Sequence, residues 1–194
     1  MEWNDWSIIS AKNILNPLML FNPVPWERGK FDYVRPGHVV SSPEEGQVSG
    51  SIARYNHPHY KQLYYDLKGK VEKIIGETLY PTYYYDRFYF KDQELKKHRD
   101  RPACEVSVSV HCSNNLDYDW PIWFTDPEGN DIPLLTQPGD AVIYKGCELD
   151  HWRDPMIGDH KSYYHQIFFH YVRRDGPFIE HAFDTQEKYK PNKY

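Results

Sequence analysis

The residues best suited to chemistry in this sequence are two histidines and an aspartate at metal-ligand spacing. His98 and Asp100 form a His-x-Asp pair, His151 lies further along the chain, and Lys161 follows ten residues after His151. Alternate side chains of an extended strand share a face, so His98 and Asp100 would point the same way. Two histidines and one carboxylate are the donor set that holds a non-haem Fe(II) and leaves coordination positions open. A lysine at this offset could hold the far carboxylate of a 2-oxoacid.

Taken alone, the His-x-Asp pair is also open to a plainer interpretation. The pair lies inside a charged run that contains Lys96, Lys97, Arg99 and Arg101, and such a run is typical of a solvated face. The same four residues could instead form a positive rim that steers an anionic substrate. His151, in turn, could be a structural histidine beside a tryptophan.

The sequence around His151 favours the metal site. A Pro-Gly-Asp turn at residues 138–140 precedes an apolar stretch, Pro155 lies four residues after His151, and Lys161 lies ten residues after it. This arrangement resembles the Fe(II)/2-oxoglutarate-dependent dioxygenases, and within them the prolyl 4-hydroxylase-like branch. The resemblance extends over about residues 83–172. The sequence departs from the family at one place, where the family's Gly-Gly-Glu/Gln-Leu stretch is replaced by a Trp-Pro-Ile-Trp-Phe sequence. The resemblance therefore does not predict which residues form the substrate-facing wall.

The resemblance implies roles for particular residues. Fe(II) would be bound by the catalytic set His98, Asp100 and His151, and Lys161 would pair with the C5 carboxylate of 2-oxoglutarate.

Two further residues are candidates for the cosubstrate pocket. Tyr89, nine residues before the first histidine, could donate a hydrogen bond to the same carboxylate or could be a core tyrosine. If Lys161 points inward on a regular strand, His165 shares its face and is a candidate for the near carboxylate. His170 then lies on the opposite face of the strand and is expected to point away from the pocket. His111 is a weaker pocket candidate.

The activity that the resemblance implies is hydroxylation of a C–H bond, with 2-oxoglutarate converted to succinate and CO₂. The cofactors would be Fe(II), 2-oxoglutarate as cosubstrate and O₂. Whether ascorbate is also needed is not predicted. Related halogenases carry Gly or Ala at the position of Asp100, so the carboxylate retained here favours hydroxylation. A prolyl residue of a peptide or protein is the leading substrate, by branch resemblance. The alternatives are a free amino acid or other small molecule, a nucleic-acid demethylase, a zinc hydrolase, and a non-catalytic metal-binding cupin-like module.

Composition limits the class of protein and its partners. The chain of 194 residues is long enough for one domain with a substantial core. Its net charge of −5 provides no basic field for nucleic acid. No apolar run approaches the ~20 residues that cross a bilayer, and the acidic start has no signal-peptide core. The three cysteines match no zinc motif and suit a reducing compartment, so we expect a cytoplasmic protein. Composition does not predict the oligomeric state, and a homo-oligomer is one of the alternatives.

The order of patterns predicts a mainly β fold with flanking helices. Apolar residues at helical spacing predict a helix over 57–78, and short strand-forming stretches with turns between them follow over about 82–175. The resemblance sharpens this to a double-stranded β-helix, a cupin-like jelly roll, in a single domain over 57–194 with a C-terminal tail. Residues 1–56 are expected to form an N-terminal extension packed on or near the core, with a lid or partner surface as the alternative.

Overall fold

The protein, seen in a computed structural model that describes residues 1–22, 24, 39–40 and 47–185, consists mainly of antiparallel strands. These form a seven-stranded major sheet in the order β1-β9-β6-β11-β4-β3-β2 and a four-stranded minor sheet in the order β5-β10-β7-β8. Short 3₁₀ helices cover Trp3–Asp5, Pro17–Met19, Pro58–Tyr60, Pro102–Cys104 and Ile179–Thr185. The longer elements are β1 Ile8–Ala11, β2 Val39–Val40, β3 Ile52–Tyr55, α1 Lys61–Ile75, β4 Leu79–Phe90, β5 Leu95–His98, β6 Val106–Asn114, β7 Ile122–Thr125, β8 Asp131–Leu134, β9 Ala141–Tyr144, β10 His151–Arg153 and β11 Tyr163–Arg173.

The two sheets face each other and enclose a space that we call the barrel. Ile122 and Phe124 of the minor sheet pack on Val142 and Tyr144 of the major sheet. The arrangement confirms the predicted jelly-roll, double-stranded β-helix core. Within the described ranges, no helix is long and apolar enough to span a bilayer.

Strict alternation along β6 decides which of its side chains enter the barrel. Val106, Val108 and Val110 belong to the cluster that packs beneath α1. Ser107 and Ser109 point the other way, into the barrel, where they contact polar groups of other strands. This is the period-two pattern of a strand with two different faces.

Helix α1 covers the outer face of the major sheet. It is shorter than the predicted 57–78, because the residues just before it form a 3₁₀ turn and the chain leaves the helix at Gly76, which has a φ of 75°. Leu63, Leu67, Val71 and Ile75 are buried along one side. Each such side chain contributes about 1.5–3 kcal/mol when fully buried, so this face fixes the helix to the sheet.

The N-terminal residues extend the major sheet at both of its edges. Strand β1 pairs with β9, Ile8 lying opposite Tyr144, and β3 pairs with β4. The described part of the predicted extension therefore contributes strands as well as packing. The alternative of a lid or partner surface over residues 1–56 stays a prediction, since 25–38 and 41–46 lie outside the described residues, as does the tail after 185. The domain boundary at 56/57 stays a prediction.

Strand β11 has a clear inner and outer face. Ile167, Phe169 and Tyr171 lie in the cluster under α1, so the even-numbered residues point into the barrel. The register against β6 shifts between His165 and Gln166. This parity decides which of the predicted site residues lie inside.

Candidate metal centre and cosubstrate pocket

The structure brings the three predicted metal ligands together at one end of the barrel. His98 ends β5 and His151 begins β10, and the two are cross-strand partners. Asp100 follows β5, and its backbone N–H donates to the carbonyl of Gly146 at 2.9 Å. The Oδ1 atom of Asp100 lies 3.5 Å from Nε2 of His98 and 3.6 Å from Nε2 of His151. The three side chains therefore point to one position.

Each histidine is held by a hydrogen bond from its other ring nitrogen. Nδ1 of His98 lies 2.7 Å from the carbonyl of Lys96, and Nδ1 of His151 lies 3.0 Å from the carbonyl of Leu149. A carbonyl can only accept, so each Nδ1 carries the proton and each Nε2 offers its lone pair. Such hydrogen bonds fix the tautomer and ring orientation of metal-binding histidines.

Two of the three groups already carry the charge that a metal requires. Burial raises the pKa of Asp100, but His151, His98 and other neighbours outweigh it and lower that pKa to about 2. Burial lowers the pKa of His151, in part opposed by Asp100. Burial lowers the pKa of His98, but the hydrogen bonds with Asp100 and the Lys96 carbonyl, together with the charge of Asp100, outweigh it and raise that pKa. Metal binding needs an ionised carboxylate and neutral imidazoles, and Asp100 and His151 already have this form near neutral pH.

A first-row metal ion fits these three donors. Bonds of ~2.0–2.2 Å to nitrogen and oxygen place neighbouring ligand atoms about 3 Å apart, slightly closer than the 3.5 and 3.6 Å between Asp100 Oδ1 and the two Nε2 atoms. A small inward movement of the side chains would close the gap. The donor set of two imidazoles and one carboxylate is the one that Fe(II) oxygenases use.

Comparison with solved structures gives the fold a context. A Pseudomonas putida prolyl-4-hydroxylase is similar over 89% of this chain and 95% of its own, with a TM-score of 0.58 and 12% identity. HygX from Streptomyces hygroscopicus, solved with nickel and 2-oxoglutarate bound, is similar over 87% of this chain and 84% of its own, with a TM-score of 0.57 and 12% identity. The non-heme alpha ketoglutarate dependent epimerase SnoN from nogalamycin biosynthesis has a TM-score of 0.61 at 9% identity, over 87% of this chain and 77% of its own.

This chain has the fold of these enzymes. No family model and no curated protein matches its sequence, so the likeness over most of the chain is one of fold. The predicted resemblance to 2-oxoglutarate oxygenases, with prolyl hydroxylases among the similar structures, is confirmed at that level.

Lys161 and His165 do not lie with the metal ligands. Lys161 is exposed in the turn before β11, where its backbone N–H donates to Asp159 at 2.7 Å. The strand begins only at residue 163, and the odd-numbered positions of β11 face α1 rather than the barrel. His165 is accordingly buried on the α1 side, with Nε2 2.8 Å from Asp86 and its ring stacked 3.9 Å from Phe88.

Tyr89 does lie in the barrel. It is fully buried, and its ring meets that of Trp120 edge-on at 5.2 Å. A part in the cosubstrate pocket stays a prediction for this residue.

The barrel contains two buried arginines that the sequence did not single out for this pocket. Arg153 lies two residues after His151 on the same strand face, and Arg87 lies opposite Gln166 in the register of β4 and β11. Arg153 is 2% exposed and donates to Gln166 Oε1 at 3.1 Å, to the carbonyl of Trp120 at 2.7 Å and to Tyr164 Oη at 3.3 Å. All three of these acceptors are neutral, so the guanidinium charge is held inside the barrel without a carboxylate partner among the described residues.

The metal end of the barrel holds further polar residues that sequence reasoning missed or misplaced. His170, expected outside, is 2% exposed in the barrel, where its ring packs against that of Tyr83 at 4.8 Å. Ser107 joins it to Asp100 by hydrogen bonds. The hydroxyl of Tyr144 lies 3.5 Å from Nε2 of His151. The alternation of β6 was the signal that could have found Ser107, since it shares a face with Ser109 and His111.

The basic run around the first ligands is partly neutralised. Arg99 is paired with Asp150 at 2.9 Å, and Lys97 with Asp131 at 3.2 Å. Lys97 also lies over the ring of Trp152 at 4.1 Å. These pairs favour the solvated-face interpretation of the run over a steering rim.

His111 lies at the opposite end of the barrel from the metal ligands. Its ring stacks on Tyr164 at 4.3 Å, and Nδ1 lies 2.7 Å from the carbonyl of Thr136. These residues line an open cavity of about 350 Å³, with Asp117 and Asp119 also on its walls. Arg153 contacts the ring of Tyr164, so it lies between this cavity and the metal ligands.

Proposed function

We propose that this chain is an Fe(II)- and 2-oxoglutarate-dependent oxygenase that hydroxylates a C–H bond. The observation that carries the proposal is the convergence of His98, Asp100 and His151 on one position inside a jelly-roll barrel. Bound Fe(II) would supply the activation of O₂. In the overall reaction one oxygen atom enters the C–H bond as a hydroxyl, the other enters succinate, and 2-oxoglutarate loses CO₂.

The protein's own contribution is to hold the reactants in place and to keep the ligands in the correct form. The hydrogen bonds from Nδ1 of both histidines aim their Nε2 atoms at the metal position. Asp100 stays ionised and supplies one negative charge. Three open positions then allow a chelating 2-oxoacid and O₂ to bind together.

We assign the far carboxylate of 2-oxoglutarate to Arg153 in place of Lys161. Residues two apart on a strand are separated by ~7 Å, which is comparable to the length of a five-carbon dicarboxylate. A molecule chelated beside His151 would therefore extend toward the Arg153 side chain. A guanidinium presents a planar fork of donors that matches a carboxylate, and Gln166 and Tyr164 orient that fork.

The substrate proposed first is a prolyl residue of a peptide or protein. It is supported by the sequence resemblance to the prolyl 4-hydroxylase-like branch and by structural similarity to a bacterial prolyl-4-hydroxylase at 12% identity. The second candidate is a small molecule. It is supported by the likeness to HygX, of which a complex with nickel, 2-oxoglutarate and hygromycin B has been solved. A fold of this kind hosts many substrates, so the site and not the fold has to decide.

The test is succinate release from 2-oxoglutarate by anaerobically purified protein supplied with Fe(II), ascorbate and air. We expect turnover above a no-enzyme control in the wild type and none in Asp100→Ala. Asp150→Asn is the matched control, because this carboxylate directly precedes His151 in sequence but is paired with Arg99. Peptides and free amino acids are then screened by mass for a gain of one oxygen.

The result also separates the alternatives. A protein that neither turns over 2-oxoglutarate nor binds it in an Fe(II)-dependent way would be a metal-binding module instead. Zinc-dependent hydrolysis without 2-oxoglutarate consumption would indicate a hydrolase.

A further inference from the structure

The two carboxylate oxygens of Asp100 have different surroundings. Oδ1 faces Nε2 of His98 and Nε2 of His151, at 3.5 and 3.6 Å. Oδ2 accepts a hydrogen bond from Oγ of Ser107 at 2.8 Å. One oxygen is therefore turned to the metal position, and the other is held away from it by a neutral donor.

A second residue directs the proton of Ser107 toward Asp100. Oγ of Ser107 lies 3.0 Å from Nδ1 of His170 and 3.2 Å from the carbonyl of Cys104. Nε2 of His170 has no hydrogen-bond partner among the described residues, so a neutral ring is best served by its proton on Nδ1, which then donates to Oγ. The single hydroxyl proton of Ser107 is then free for the charged acceptor, which is also the nearer one.

The backbone at Gly146 packs closely against the outer oxygen of the Asp100 carboxylate. A Cβ atom at Gly146 would lie 2.6 Å from Oδ2 of Asp100 and 2.5 Å from Oγ of Ser107. The Gly146 carbonyl also accepts the N–H of Asp100. The glycine thus packs directly on the hydrogen bond between the two side chains.

We propose that Ser107, supported by His170, is a positioning residue that makes Asp100 bind the metal through Oδ1 alone. The inference rests on the proposed metal site and goes beyond it. With one oxygen bound, the protein fills three of six positions and leaves three open, two for the chelating 2-oxoacid and one for O₂. With both oxygens bound, 2-oxoglutarate could still chelate, but the position for O₂ would be taken.

The number of water molecules bound to Mn(II) tests this directly. It is obtained from the enhancement of water-proton relaxation, with the full chain and saturating Mn(II) as the probe. We expect about three exchangeable waters in the wild type and about one fewer in Ser107→Ala. Ser109→Ala is the matched control. This serine lies on the same face of β6 but bonds to Gln166 instead of Asp100, and we expect it to keep the wild-type number.

Succinate release gives a second measurement. A residue with a merely structural role would not change turnover while leaving the KM for 2-oxoglutarate unchanged. Ser107→Ala should lower turnover by about 10- to 100-fold while the KM for 2-oxoglutarate stays near the wild-type value, because chelation needs only two positions. His170→Phe should change both readouts in the direction of Ser107→Ala. His170→Asn can place an amide N–H where Nδ1 lies and should restore them.

The outcomes distinguish this inference from the proposed function. If the wild-type protein binds no Mn(II) at the Asp100 site, the proposed metal centre itself is wrong. A wild type with about three waters and a Ser107→Ala variant with the same number and the same turnover overturns the positioning role alone.

Discussion

His98 and His151 lie directly opposite each other on two antiparallel strands, and each ring is held by the carbonyl two residues before it. The repeated local geometry aims both Nε2 atoms at the same point without help from distant residues. The pairing register of β5 and β10 is therefore as important to the metal centre as the identity of the ligands.

Metal binding should stabilise the fold through this centre. At Mn(II) concentrations 100-fold above Kd, binding contributes about 2.7 kcal/mol, which corresponds to a Tm rise of about 5–10 °C for a chain of this size. Thermal unfolding with and without Mn(II) measures it. Asp100→Ala should lose the rise and Asp150→Asn should keep it; an equal rise in both variants would place the ion elsewhere.

The charge of Arg153 should govern affinity for 2-oxoglutarate. Arg153→Gln keeps a hydrogen-bonding side chain but removes the charge, so we expect a loss of about 2 kcal/mol, or a KM for 2-oxoglutarate raised by roughly 30-fold. Succinate release at varied 2-oxoglutarate gives the value. Lys161→Gln, which changes an exposed lysine, should leave the KM within about twofold of wild type; the reverse ranking would restore the anchoring role to Lys161.

The buried ion pair on the α1 side of the major sheet should be structural. Asp86 is 1% exposed and bonds to both Arg54 and His165. Asp86→Asn would leave the guanidinium buried without its anion, at a cost of about 3–5 kcal/mol. Urea unfolding measures the loss, and the KM for 2-oxoglutarate should not change. A loss below about 1 kcal/mol would contradict the assignment, and a raised KM would return His165 to the cosubstrate pocket.

His111 should make stability fall in mild acid. Burial lowers its pKa to about 4 in the folded protein, against about 6.5 when unfolded. Below pH 6.5 the unfolded chain takes up a proton that the folded chain does not, so stability is lost progressively as the pH falls toward 4. The loss from this group is about 2 kcal/mol at pH 5. Comparison of urea unfolding at pH 7 and pH 5 for wild type and His111→Gln isolates it; equal losses in both proteins would exclude this group.

Features that depend on short stretches of sequence could be predicted from the residue pattern. The His-x-Asp pair, the distal histidine and the turn before β9 together indicated three residues whose side chains the structure brings to one place, and the alternation along β6 placed Ser107 and Ser109 on one face. The spacing of apolar residues indicated α1, although the 3₁₀ turn at Pro58–Tyr60 delayed its start.

Side-chain direction after a loop could not be predicted in the same way. Which side chains of a strand face inward depends on the residue at which pairing begins and on each register shift. Both are set by the neighbouring strands. Lys161 was therefore expected inside and lies outside, and His170 shows the opposite error. The burial of Arg54, Arg87 and Arg153 could not be predicted from the sequence, because only the folded sheets reveal the partners that allow an arginine to be buried.

The pairing of β1 with β9 joins the beginning of the chain to a strand that is made late in synthesis. Until residues 141–144 leave the ribosome, the first strand has no partner, and the sheet that carries Tyr144 and Ser107 cannot close at that side. A truncated chain without its first eleven residues would turn β9 into a sheet border with unpaired N–H and C=O groups, which is a template for self-association.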